Sequence, residues 1–186
     1  HNNGEVYANN WAYVQHAASK DVWYNALSNY VGVRSASSYA RPEARLSFYE
    51  RNSFFHCPSA RFPKIANRDL YQIALFSIAM NSQLIEVPNV PIVKMESVKK
   101  TAQTVLLLDN LLEGETPVAG EQETTELGQP AAYANRFAGR RHGGSGVIAF
   151  FDGHAEAVPG RKVVETQGIN AGWAILPAVD IFWEPE

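Results

Sequence analysis

The chain contains a single cysteine, Cys57, among its 186 residues. One cysteine cannot close an intrachain disulfide, which excludes the class of small disulfide-stapled domains. No apolar run approaches the roughly 18 residues that are needed to span a bilayer. Basic residues are also few: 16 Lys and Arg against 19 Asp and Glu give a net charge of -3. This charge argues against a nucleic-acid partner, because binding to phosphates depends on a dense basic surface.

Apolar and aromatic residues are plentiful. Hydrophobic residues make up 46% of the chain and charged residues 19%, and there are 4 Trp, 8 Tyr and 9 Phe. This material suffices for a sizeable core, and the length suits one domain. We therefore expect residues 1–186 to form a single globular domain.

The first part of the chain has the spacing of a helix. Apolar residues recur at steps of three and four over residues 8–32, most clearly over 21–30. Asp21 is a suitable N-cap for the clearer part, and Gly32 a suitable stop signal. Three residues are expected on one face of this helix: Trp23, Leu27 and Tyr30.

Later segments have the character of strands. Four of them are short and rich in apolar residues: 71–78 (YQIALFSI), 104–108 (TVLLL), 147–151 (VIAFF) and 154–158. In the first of these, Leu and Ala also leave a helix open. Asp152-Gly153, between the last two, is a strong hairpin signal, because Gly tolerates the positive φ that such a turn needs. The pattern predicts an α+β fold, with an N-terminal helix packed on an antiparallel sheet and long irregular loops.

The remaining segments are expected to be loops or packing elements. Residues 33–70 are punctuated by Ser and Pro, and residues 113–128 are acidic, so we expect an irregular loop and a solvated loop respectively. Residues 173–183 are apolar and are expected to pack back onto the sheet. Three further side chains are expected to serve packing and not chemistry: His16, His56 and Cys57.

The most informative segment is residues 141–154, which read RHGGSGVIAFFDGH. His142 is followed by nine residues and then by Asp152-Gly153. This segment resembles the C-terminal signature of pilin-like proteins that carry a prepilin-type cleavage and methylation segment. That signature consists of a histidine, nine intervening residues and Asp-Gly.

Other segments resemble further motifs of the same family, in the expected order. They are residues 1–7 (HNNGEVY), the helix positions Trp23, Leu27 and Tyr30, residues 55–59 (FHCPS), residues 78–81 (IAMN) and the strand 104–109, which ends in Asp109. In residues 78–81 the first position is Ile where the family usually has Tyr.

The resemblance implies a structural protein and not an enzyme, with no cofactor. It implies a subunit of a type II secretion or type IV pilus-like fibre, with a basic leader and an apolar helix upstream of His1. That helix would anchor the protein in the inner membrane, with the head in the periplasm, and later pack against other pilin-like subunits in a cell-surface fibre. The head would decorate the fibre or recognise a secreted cargo.

The residues of the signature also have a direct chemical interpretation. Gly143 and Gly144 permit a tight backbone path into the strand. A strand rises about 3.3 Å per residue, so His142 and Asp152 are expected at opposite ends of it. We expect a hydrogen bond from His142 to hold the glycine segment, while Asp152-Gly153 forms the hairpin turn.

Two alternatives involve ligands. Asp109, His142, Asp152 and His154 carry groups that bind zinc and related metals, which would suit a secreted metal-dependent hydrolase or binding domain. Calcium in the acidic loop is disfavoured, because the loop lacks a dense pattern of Asp and Asn. An adhesive or carbohydrate-binding head is the other alternative, with sugars stacked on exposed tryptophans: Trp11, Trp173 or Trp183.

Overall fold

The structure is a computed structural model, and it describes residues 9–16, 20–50, 53–63, 72–84, 93–119, 122, 127–164 and 181–185. Within these residues the regular elements are short helices, 3-10 turns and one five-stranded sheet. The helices are α1 (Trp11–Val14), α2 (Trp23–Ala26), α3 (Ser28–Val31) and α4 (Gly160–Val164). The strands are β1 (Ile78–Asn81), β2 (Val105–Asp109), β3 (Ala131–Ala132), β4 (Ser145–Phe150) and β5 (Ala155–Pro159).

The sheet has the strand order β3-β1-β2-β4-β5. Strands β1, β2, β4 and β5 pair antiparallel in that order, whereas β3 pairs parallel with β1. The α+β class is therefore confirmed, and the wholly antiparallel sheet is wrong. The reason lies at the edge of β1, where the Met80 N–H donates to the Pro130 carbonyl oxygen at 3.0 Å. The two-residue β3 follows this bond and covers backbone groups that would otherwise be exposed at the edge.

Three strand predictions are confirmed to within one or two residues. The predicted strands 104–108, 147–151 and 154–158 correspond to β2, β4 and β5. The prediction for 71–78 is wrong within the described residues, because the strand begins only at Ile78. Before that point the backbone bonds of the segment go to separate partners: the Ala74 N–H donates to Asn9 and the Phe76 N–H to Gly128.

The long N-terminal helix is not formed as predicted. α1 ends at Val14, whose carbonyl oxygen accepts a hydrogen bond from Asn25 Nδ2 at 3.0 Å. In a continuous helix these residues would lie about 16 Å apart at about 1.5 Å per residue, so the bond requires the chain to fold back. Val22, and not Asp21, is the N-cap of α2 and makes no side-chain cap bond. Gly32 does end α3, with φ of 69°.

The helical face was also only partly predicted. Trp23 is buried, but Tyr30 is 86% exposed and does not belong to the core. The tight link at Leu27 joins α2 to α3, and it remains in the right-handed helical region with φ of -65°. Trp23 is instead held by the residue before β3, because its indole N–H donates to the Pro130 carbonyl oxygen at 2.8 Å.

Buried clusters lie on both faces of the sheet. Neighbouring residues of β1 and β2 pair as Ala79 with Leu108 and Met80 with Leu107. The first pair belongs to a cluster that extends over β4 and β5 and reaches the C-terminal residues Ile181 and Trp183. The second pair packs against an aromatic cluster from the helices and from the loops before β1, formed by Trp11, Trp23, Tyr24, Phe48, Phe55 and Phe76 with smaller residues.

The C-terminal segment packs onto the sheet where it is described. The Val105 N–H donates to the Phe182 carbonyl oxygen at 2.9 Å, and Trp183 is buried. Residues 173–180 of the predicted segment lie outside the described residues, as do residues 1–7. Among the described residues, no helix combines the length and the apolar character required to cross a membrane.

Candidate functional site

The pairing of β2 with β4 brings Asp109 close to His142. The strands run antiparallel with Leu108 opposite Ile148, so the end of β2 lies beside the start of β4. The Val147 N–H donates to Asp109 Oδ2 at 2.8 Å. His142 stands just before β4, and it therefore lies at the same edge of the sheet as Asp109.

A tight turn directs His142 back over this edge. The His142 N–H donates to the Ser145 carbonyl oxygen at 2.9 Å, and the Ser145 N–H donates to the His142 carbonyl oxygen at 3.4 Å. Gly143 and Gly144 occupy the two central positions with φ of 66° and 100°. Positive φ at both central positions is the pattern of a type I′ turn, which explains the need for two consecutive glycines.

The imidazole of His142 contacts two other functional side chains. Its Nε2 lies 3.1 Å from Asp109 Oδ2 and 3.4 Å from Cys57 Sγ. The side chain of Asp109 is 4% exposed and that of His142 is 31% exposed. The sulfur, nitrogen and oxygen atoms of these three residues all lie within 4.8 Å of one another.

Cys57 is brought to this edge by the loop before β1. Its N–H donates to Ser77 Oγ at 2.7 Å, one residue before β1 begins. The neighbouring His56 anchors the same loop through its Nε2, which lies 2.9 Å from the Leu75 carbonyl oxygen. Cys57 is buried, as expected of a packing residue, but its contact with His142 was not predicted from the sequence.

Arg141 links Asp109 to the acidic loop, and this role was not predicted from the sequence. Each of its five N–H groups has an acceptor. Nε donates to Glu115 Oε1, Nη1 to the Ser77 carbonyl and to Asp109 Oδ1, and Nη2 to the Asn110 carbonyl and to Glu115 Oε2. The prediction of a solvated loop is therefore wrong for Glu115, whose side chain is only 11% exposed. Residues 120, 121 and 123–126 of that loop lie outside the described residues.

The surroundings of Arg141 determine the pKa of its guanidinium. Burial by itself lowers the pKa of the guanidinium, but the hydrogen bond and charge of Glu115 and the charge of Asp109 outweigh it and raise the pKa above its ordinary value. Arg141 is therefore permanently charged. The carboxylates of Asp109 and Glu115 both pair with this one cation.

The other end of β4 holds a separate pair. His154 Nδ1 lies 2.6 Å from Asp152 Oδ1, and the His154 ring stacks on Phe150 with 4.5 Å between ring centroids. The backbone N–H of His154, followed by its side chain, lowers the pKa of Asp152. Gly153 has φ of 92°, and the Gly153 N–H donates to the Phe150 carbonyl oxygen at 3.0 Å. The predicted Asp152-Gly153 hairpin is thus present.

The four predicted metal ligands do not form one site. Asp109 and His142 lie together, whereas Asp152 and His154 lie at the far end of β4. That strand has six residues, which span about 20 Å at about 3.3 Å per residue. No single ion can bridge that distance.

The burial of the remaining histidines and tryptophans differs from one side chain to the next. His56 is buried, as expected, and burial lowers its pKa to about 4. His16 is exposed, which contradicts its predicted packing role. Trp11 is 1% exposed and Trp183 is 4% exposed, so neither offers a surface for stacking on a sugar. Trp173 lies outside the described residues.

The geometry at His142 does not suit a catalytic relay. In a Cys–His–Asp relay one ring nitrogen serves the thiol and the other serves the carboxylate. Here Nε2 of His142 contacts both Cys57 and Asp109. One nitrogen cannot accept a proton from the thiol while it donates one to the carboxylate. The arrangement can act as a hydrogen-bonded brace or as a set of converging metal ligands.

Comparison of the chain with protein-family models, with curated proteins and with solved structures gives no match. The function must therefore be inferred from the chain's own residues and from the contacts that they make.

Proposed function

We propose that this chain is the globular head of a pilin-like subunit of a type II secretion or type IV pilus-like fibre, anchored in the inner membrane before assembly. The observation that carries the proposal is that three separate segments resembling the family's motifs contact one another through their motif residues. The FHCPS segment supplies Cys57, the segment that ends in Asp109 supplies its carboxylate, and the signature supplies His142. A fourth segment, IAMN, contacts the segment that ends in Asp109 at a different point, through Asn81 and the Val105 carbonyl oxygen.

Asn81 is the last residue of β1, and it links this strand to the start of β2 and to the C-terminal residues. Its Nδ2 donates to the Val105 carbonyl oxygen at 3.0 Å and to the Trp183 carbonyl oxygen at 2.7 Å. Its Oδ1 accepts from the Gln83 N–H at 3.1 Å. Asn81 has no exposed surface, so these bonds replace its contacts with water. Asn81 therefore has a structural role. Such a role is expected of a motif residue in a structural protein.

The two ends of the signature have structural roles as well. His142 holds the glycine turn against β2 through Asp109, and Gly153 closes the hairpin between β4 and β5. The conformations of Gly143 and Gly144 explain why glycines stand directly after the histidine. A signature built for shape, and not for reaction, supports a subunit in preference to an enzyme.

The proposal is tested on the full-length gene product in its own cells. We expect N-terminal sequencing and mass spectrometry to find a leader cleaved upstream of His1 and a methylated new N-terminus. Deletion of the prepilin peptidase gene is expected to leave the leader in place and to prevent assembly. A mature protein that carries no apolar segment before His1, or one whose N-terminus is unaffected by loss of the peptidase, would overturn the proposal.

Assembly provides a second readout with a matched control. In-cell cross-linking of the full-length protein is expected to capture other pilin-like subunits in the membrane fraction. The 186-residue chain alone, exported to the same compartment, is the control and is expected to give no such products. Equal cross-linking by the chain alone would contradict the expected role of the upstream helix.

A further inference from the structure

We propose that Cys57, Asp109 and His142 form a binding site for a divalent transition metal, with zinc as the best-suited ion. The set differs from the ligands expected from the sequence, because it includes the cysteine and excludes the pair at the far end of β4. It is independent of the pilin-like function, since a fibre subunit and any other protein could carry such a site.

The separations of the ligand atoms suit a tetrahedral ion. Zinc lies about 2.3 Å from sulfur and about 2.0–2.2 Å from nitrogen and oxygen, so tetrahedral ligand atoms are about 3.3–3.6 Å apart. The distance from Cys57 Sγ to His142 Nε2 is 3.4 Å, and that from His142 Nε2 to Asp109 Oδ2 is 3.1 Å. The third pair, Cys57 Sγ and the Asp109 carboxylate, lies within 4.8 Å, and small movements of the side chains would admit the ion between the three ligand atoms.

The ligand types determine which metals the site would select. Thiolate and imidazole ligands favour zinc and cobalt over magnesium and calcium, which prefer oxygen. One carboxylate completes a set of three different ligands, each from a residue type that is common in zinc sites. The site would therefore be selective against calcium, the ion considered for the acidic loop.

The charge of the cluster matches a divalent cation. Asp109 and Glu115 contribute two negative charges and Arg141 one positive charge. Loss of the thiol proton from Cys57 would add a further negative charge, because the thiolate is the form that binds metals. The resulting total of two negative charges balances one divalent ion.

The residues around the ligands hold them in place. Asp109 is oriented by Arg141 Nη1 on one oxygen and by the Val147 N–H on the other, at 3.0 and 2.8 Å. Cys57 is oriented through its backbone bond to Ser77. Supporting contacts of this kind are typical of metal sites and contribute to affinity. The side chain of His142 is 31% exposed, so the group lies near the protein surface, where water could serve as a fourth ligand.

The expected consequence is structural. Cys57 and His142 are 85 residues apart in the sequence, and the ion would link the loop before β1 to the glycine turn before β4. A bound ion that favours the folded chain over the unfolded chain raises stability by an amount that grows with the logarithm of its affinity. In a chain with one cysteine, the metal would provide a cross-link that a disulfide cannot.

The test uses the 186-residue chain without a histidine tag, reduced and freed of metal. Cobalt(II) is the spectroscopic probe and zinc(II) the competitor. We expect one cobalt ion per chain, visible d–d bands of tetrahedral intensity and a thiolate-to-cobalt charge-transfer band in the near ultraviolet. Zinc is expected to displace the cobalt and to raise the melting temperature, and EDTA to reverse the rise.

Three variants decide whether the proposed residues are the ligands. C57S changes one atom and is expected to fold, with an unchanged circular dichroism spectrum. It should lose the charge-transfer band and weaken zinc binding by more than the roughly 10- to 100-fold that supporting residues typically contribute. H142Q should also weaken binding. H154Q is the matched control, because its imidazole lies at the far end of β4, and it should bind metal like the unsubstituted chain.

Three results would overturn the proposal: no stoichiometric binding by the folded chain, a cobalt spectrum without a thiolate band, or binding that is unchanged in the folded C57S variant. Failure here would leave the pilin-like function standing, since that proposal depends on processing at the N-terminus. Conversely, absence of processing would leave the metal measurements unaffected.

Discussion

Arg141 and Glu115 form a two-point ion pair that is almost sealed from water. The distances are 2.9 Å from Nε to Oε1 and 2.5 Å from Nη2 to Oε2, and the two side chains are 1% and 11% exposed. Parallel bonds of this kind are the strongest geometry for a guanidinium and a carboxylate. The pair joins the acidic loop to the residue that precedes His142, and it therefore helps to fix the turn formed by His142, Gly143, Gly144 and Ser145.

Removal of Glu115 tests the importance of this pair. Glu115→Ala leaves two buried N–H groups of Arg141 without their acceptor, and we expect a loss of about 3–5 kcal/mol in the free energy of unfolding. Urea denaturation measures the change. Glu113→Ala is the control, because Glu113 is an exposed carboxylate of the same loop, and its effect should stay within about 0.5 kcal/mol. Equal effects of the two substitutions would show that the pair contributes little.

The hairpin turn gives a prediction about backbone conformation. Gly153 has φ of 92°, and a Cβ atom added there would meet nothing within 4 Å. Any cost of substitution therefore comes from the backbone and not from a clash. We expect Gly153→Val to lower the unfolding free energy by about 1–3 kcal/mol, and Gly153→Asn by less, because Asn tolerates positive φ better. Thermal melts of both variants give the order, and an unchanged Val variant would contradict the turn.

A close approach of two glycines gives a steric prediction. A Cβ atom at Gly139 would overlap the Cα atom of Gly160, and one at Gly160 would meet the Gly139 carbonyl oxygen at 2.5 Å. Because each clash involves backbone, Gly139→Ala and Gly160→Ala should each cost about 1–3 kcal/mol, as overpacking generally does. The double variant should cost less than the sum, since one separation of the two segments relieves both clashes. Strict additivity in a double-mutant cycle would argue against their contact.

His56 gives a prediction about pH. Burial lowers its pKa to about 4 in the folded chain, whereas an unperturbed histidine titrates near 6.5. The unfolded chain therefore binds the proton first as the pH falls. Stability from this group is complete above pH ~6.5 and is lost progressively between about 6.5 and 4, by roughly 3 kcal/mol in all.

The control for this pH dependence is a second histidine. His56→Phe removes the titrating group from the aromatic cluster and should flatten the stability curve between pH ~6.5 and 4. His16→Gln, which replaces an exposed histidine, is the matched control for the loss of an imidazole. Unfolding free energies measured in urea at several pH values compare the three chains. A slope that survives in the Phe variant would assign the effect to another group.

Local patterns in the sequence were sufficient for some elements and insufficient for others. β2, β4 and the turn at Gly153 were predicted because apolar runs and an Asp-Gly pair act over a few residues. The end of α3 at Gly32 was predicted for the same reason. The break after α1 was not predicted. It involves the hydrogen bond from Asn25 to the Val14 carbonyl oxygen, and the periodicity of apolar residues carries no information about such a bond.

The sequence by itself determined the strands β2, β4 and β5, the glycine turns and the end of the helical region, because these depend on side-chain periodicity and on the backbone freedom of glycine. Only the tertiary structure decided that Cys57 meets His142 and that Glu115 meets Arg141. These partners are 85 and 26 residues apart in the chain. Their meeting depends on how the loops dock against the edge of the sheet, and residue types alone do not specify that docking. The separation of Asp152 and His154 from Asp109 follows instead from the length of β4, because a strand of six residues keeps its two ends apart.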